Sequence, residues 1–92
     1  RVTHTLETTR GGVRKAARDI VTRAGTGQPT EALEMVLLAM LGAEPLPTDA
    51  LAPVEHAYVV ALLRVRVAPD DGAAQEAWVA ARRELLGERR AA

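Results

Sequence analysis

Apolar residues recur at helical spacing in four segments of the chain, separated by breaks rich in glycine and proline. In the first segment Leu6, Val13 and Ile20 stand seven apart with Ala16, Ala17 and Ala24 between them, a single helical stripe rather than strand alternation. That stripe predicts a helix over residues 13–24. Gly11 and Gly12 interrupt it upstream, each costing about 1 kcal/mol relative to Ala in a helix interior. Residues 1–6, where Val2, His4 and Leu6 alternate with polar or charged positions, therefore read as a short strand or an extended arm.

The second segment opens after Gly27, with Pro29 suited to a first helical turn, Glu31 to the positive end of the helix dipole, and Gly42 to a C-cap beyond Leu41. Large apolar residues crowd almost every face from Leu33 to Leu41, so this helix needs cover on most sides. In the third segment Pro53 precedes Val54, Ala57, Tyr58, Ala61, Leu62 and Val65 at helical spacing. Val59, Val60 and Leu63 fill the other faces, and Arg64 to Val67 alternates like a strand, which leaves helix and strand both open for residues 57–68. The fourth segment is the cleanest: Ala74, Ala77, Trp78, Ala81 and Leu85 form one stripe, Asp70 or Asp71 can cap its start, and fraying is expected from Gly87.

These segments predict one all-α domain over residues 1–92, a compact four-helix arrangement, orthogonal or bundle-like, with segments two and three as the buried centre and the outer two flanking them. Eighteen alanines among eleven leucines and ten valines make the helix faces thin, since a buried Ala removes less apolar area from water than a Leu. Two crowded central helices between such faces are expected to leave apolar surface uncovered, and self-association is the expected remedy. The residues expected to carry it are Leu33, Val36, Leu37, Met40, Val59, Leu63 and Trp78. The predicted role is a non-enzymatic protein–protein interaction or regulatory module, a homodimer or a partner for another protein.

Charge adds a second candidate. Residues 1–24 hold five arginines and Lys15 against Glu7 and Asp19, whereas residues 25–63 hold Glu31, Glu34, Glu44, Asp49 and Glu55 and no basic residue, so a net charge of zero conceals a dipolar molecule. Arg10, Arg14 and Arg18, four apart and beside Lys15, would stack on one helix face. Such a row either pairs with the acidic second segment or neutralises phosphates, so a DNA-binding regulator is the alternative reading. A polar alternating arm, a helix over 13–24, and Gly27-Gln28-Pro29-Thr30-Glu31-Ala32-Leu33 opening an apolar helix together resemble the ribbon-helix-helix arrangement of dimeric bacterial repressors. In that family the arms pair into a ribbon that enters the major groove. The likeness spans residues 1–42 only, departs at Gly11 and Gly12, leaves two further helices unaccounted for, and stops short of membership.

The inventory for catalysis is poor. Cys, Ser, Asn and Phe are absent, which removes thiolate and serine nucleophiles and cysteine-based metal sites. Glu55 and His56 are adjacent and point about 100° apart on a helix, and no residue at the spacing of a helical metal site completes them. No phosphate-binding glycine pattern occurs, so no cofactor is expected. With one Trp and one Tyr, a stacking platform for single-stranded nucleic acid is absent too. No apolar run approaches a membrane span, and the default expectation for location is cytoplasmic. Eleven arginines to one lysine fits a GC-rich, bacterial-like genome, and a first residue other than Met fits a domain excised from a longer protein.

Overall fold

The computed structural model describes the backbone of residues 2–49 and 51–91 and the side chains of residues 11–49 and 51–87. Four helices follow in order: α1 (Val2–Thr26), α2 (Glu31–Leu41), α3 (Pro53–Val67) and α4 (Gly72–Ala91), with no strand among the described residues. The all-α, four-helix expectation is met. Short connections at 27–30 and 68–71 make α1–α2 and α3–α4 the closely packed pairs, while α1 also touches α3 and α4, and α2 meets α3 only sparingly.

Helix ends follow the chain's punctuation. Gly27 and Gly42, at φ of 74° and 59°, turn the chain after α1 and α2 in a conformation that other residues rarely adopt. Asp71 Oδ1 accepts hydrogen bonds from the backbone N–H groups of Ala73 and Ala74, the capping role foreseen for it. At the start of α3, Glu55 Oε1 accepts from the Ala52 N–H at 3.1 Å. Pro29 stands just before α2, not in its first turn, because Thr30 is the residue that precedes Glu31.

The N-terminal arm is corrected. Residues 2–12 belong to α1, which runs unbroken through both glycines, and with the arm goes the basis of the ribbon-helix-helix likeness. Gly12 has a packing reason to be there: a Cβ built at this position would lie 3.2 Å from Met40 Cε and 3.3 Å from Met40 Sδ, so the bare backbone lets the Met40 side chain lie against α1. Gly11 has no such neighbour among the described residues. The strand option for 57–68 also closes in favour of helix. Val59 is fully buried with Tyr58, Ala61, Leu62 and Leu63 on the inner side of this helix while Val67 stays exposed, so packing of one helical face outweighs β-branched preference. Fraying at Gly87 is not seen; α4 continues to Ala91.

The core joins Val13, Ala16, Ala17, Ile20 and Val21 of α1 to Tyr58, Val59, Ala61, Leu62 and Leu63 of α3, closed by Ala81 and Leu85 of α4. Leu46 and Leu51, from the long α2–α3 connection, plug it. The buried centre is thus α1 with α3, and not α2 with α3 as the apolar crowding suggested. Only Glu34 and Leu37 of α2 are buried.

Gly11→Ala should raise unfolding free energy by up to about 1 kcal/mol, the helix-propensity difference. Gly12→Ala should gain distinctly less, since Met40 must move aside. Urea unfolding of both variants checks this, and equal gains would contradict the role given to Gly12.

Candidate functional site

At about 100° per residue, α2 divides cleanly into two halves. Leu33, Glu34, Leu37, Leu38 and Leu41 face the protein, Glu31, Ala32, Met35, Val36 and Ala39 face solvent, and Met40 lies at the edge, partly exposed with its tip against Gly12 of α1. The outward half contains a single charged residue, Glu31. Met35 is 57% exposed, Val36 45% and Met40 37%.

What turns α2 this way is the content of its inner half. Four leucines lie there, and so does the only buried charge among the described residues, Glu34, whose side chain is 2% exposed. A buried carboxylate persists when its oxygens find donors. Glu34 Oε1 accepts from Arg66 Nε and Nη2, both at 2.8 Å, and Oε2 accepts from the Thr30 hydroxyl at 2.6 Å. Arg66, on the last turn of α3, thus anchors the start of α2. The acidic second segment does find an arginine, but the partner comes from α3 and not from the row on α1.

Beside this anchor, Tyr58 is buried and its phenol is raised above 10.0, first by loss of water around it and further by the Glu34 charge. The Trp78 indole and the Arg82 guanidinium pull the other way. Arg82 stands 6.0 Å from the centre of the Trp78 ring. The indole Nε1 is buried without a hydrogen-bond acceptor among the described residues.

On the flank of α2 next to Met35, a largely apolar groove of about 610 Å³ runs between α2, the α2–α3 connection and α3. Leu38, Leu41, Leu46, Val60, Leu63 and Val67 supply its apolar lining. Glu44, Thr48, His56, Arg64 and Asp71 supply polar groups. His56 Nε2 stands 3.3 Å from the Leu46 carbonyl oxygen, to which it donates when it carries the ring proton, tying α3 to the connection. Val67 is 71% exposed.

The residues expected to mediate association separate into two sets. Leu37, Val59 and Leu63 are enclosed within the protomer, Leu63 at the groove, so they support the surface and do not form it. Val36 and Met40 stand on the exposed half of α2, while Leu33 and Trp78 are half-buried. Met35, expected in the core first and as an adaptable contact second, is the most exposed of the α2 apolar residues. In the basic row, Arg14 is held by Asp49 at 2.8 Å, Lys15 and Arg18 are exposed, and the Arg10 side chain lies outside the described residues. No group of His and acidic residues among the described ones could hold a metal ion, and none of the helices is long and apolar enough to cross a membrane.

Arg66→Ala should destabilise the fold by about 1–3 kcal/mol, toward the lower end because Arg66 is 39% exposed, since Glu34 keeps only Thr30. Glu34→Leu combined with Arg66→Met should recover most of that loss in urea unfolding. A neutral Arg66→Ala would contradict the anchor. Tyr58, the only tyrosine, should ionise above 10.0 when followed by ultraviolet absorbance. Because the unfolded chain loses this proton first, folding stability should fall as pH rises past the unfolded value; ionisation at or below 10.0 would contradict the burial of the ring.

Comparison of the chain with known protein families, curated proteins and solved structures finds no match to any of them.

Proposed function

We propose that this domain is a non-enzymatic interaction module that self-associates through the outward half of α2. The observation that carries the reading is the exposure of Met35, Val36 and Met40 on one side of a single short helix, interleaved with Ala32 and Ala39 and relieved only by Glu31. Scattered exposed apolar residues are ordinary, but a contiguous set on one element marks an association surface. Methionines suit the role, because their flexible thioethers adapt to a partner.

The DNA-binding alternative draws on Arg10, Arg14, Lys15 and Arg18, of which Arg14 is paired with Asp49 in an exposed, screened ion pair. The exposed apolar half of α2 favours self-association over this alternative.

Sedimentation velocity over a range of concentrations tests it. The wild-type protein should form a dimer, and Met35→Lys with Val36→Lys should be a folded monomer with unchanged helix content by circular dichroism. A wild-type monomer at every concentration would overturn the reading, and so would a dimer indifferent to both substitutions.

A further inference from the structure

The chain has no cysteine and two methionines, so Met35 and Met40 carry its only sulfur atoms, and both stand on α2. Their surroundings differ. Met35 is 57% exposed, whereas Met40 is 37% exposed and its Cε and Sδ lie 3.2 and 3.3 Å from the point a Cβ on Gly12 would occupy, so α1 covers one side of the Met40 sulfur. One helical turn from Met35 stand Glu31, Ala32, Leu38 and Ala39, with Val36 beside it. The Glu31 carboxylate accepts hydrogen bonds, and none of the other side chains donates one.

We infer, resting on the self-association proposed above, that Met35 is an oxidation site through which peroxide controls the outward half of α2. A sulfur lone pair attacks one oxygen of hydrogen peroxide. An S–O bond forms as the O–O bond breaks, the sulfur gives two electrons to the peroxide, and the displaced hydroxide leaves as water with the proton of the transferred oxygen. The product is methionine sulfoxide, which a thiol-dependent sulfoxide reductase returns to the thioether while two thiols become a disulfide and water is released.

The neighbours of Met35 decide what this oxygen does. It is a hydrogen-bond acceptor set among side chains that offer no donor, so water supplies its bonds in the free protomer, and covering the surface strips that water away. Peroxide thus acts on the free protomer and holds it apart from a second copy. The fold is retained, because α2 is held by its inner half, through buried Leu37 and the ion pair between Glu34 and Arg66. Met40, seated against Gly12, reacts after Met35.

The test exposes the wild-type protein, Met35→Leu and Gly12→Ala to dilute hydrogen peroxide, with sulfoxide at each methionine followed by mass spectrometry and association by sedimentation velocity. Gly12→Ala, which pushes the Met40 thioether away from α1, should speed oxidation of Met40 and leave Met35 unchanged. Wild-type protein oxidised at Met35 alone should keep its helix content by circular dichroism and dissociate at least about tenfold more readily, a loss of roughly 1.4 kcal/mol, and reductase with dithiothreitol should restore it. Met35→Leu should keep its dimer at the same peroxide dose. A wild-type monomer before oxidation would overturn the self-association reading and this inference together. An unchanged dissociation constant with Met35 fully converted would leave that reading standing and overturn the inference, as would a Met35→Leu dimer that peroxide disperses or a Met40 that reacts before Met35.

Discussion

The orientation of one short helix governs the character of this molecule, and a carboxylate kept from water helps to hold that orientation. Glu34 can be buried only because Arg66 and Thr30 supply three donor contacts, and Arg66 reaches it because α3 ends there. Once Glu34 points inward, helix geometry sends Met35 and Val36 outward. The inner half is not less apolar for holding a charge, since it also gathers Leu33, Leu37, Leu38 and Leu41, the larger aliphatic set of the helix. Turning α2 over would expose four leucines and strand Arg66, and leaving it as it is exposes two methionines and a valine.

The remaining architecture makes this choice necessary. α1 contributes Val13, Ala16, Ala17, Ile20 and Val21 and α3 contributes Tyr58, Val59, Ala61, Leu62 and Leu63 to one buried cluster, which makes these two helices the main suppliers of the core. α4 covers α3 through Ala74, Ala81 and Leu85. α2 rests on α1 by its inner half and by Met40 lying at Gly12, and meets α3 only sparingly. An apolar half-helix and an apolar groove are left side by side.

The four-helix plan, the end of α2, the Asp71 cap and the Gly42 turn were legible in the sequence because they depend on local chemistry, whereas the first eleven residues of α1 and the helical state of 57–67 were not, since glycines and β-branched residues there point locally away from helix. The role of Gly12 was not, since it depends on where Met40 arrives from a separate helix. Spacing read Leu37, Val59 and Leu63 as surplus to the protomer, whereas leucines from the proline-rich connection, Leu46 and Leu51, help enclose them. The pairing of Glu34 with Arg66 spans 32 positions and carries no local signature. Met35 reads from sequence as a core residue first and an adaptable contact second, and stands exposed instead for a related reason: which side of a uniformly apolar helix faces water is decided by its neighbours.

The most direct test of the outward-facing, shared α2 is peroxide footprinting of the two methionines, read by mass spectrometry across protein concentration. Met35 should oxidise rapidly in dilute solution, as an exposed side chain must, and become strongly protected as the protein is concentrated. Protection of Met35 even at high dilution would mean that α2 is turned the other way, and equal reactivity at every concentration would mean that no second copy covers it.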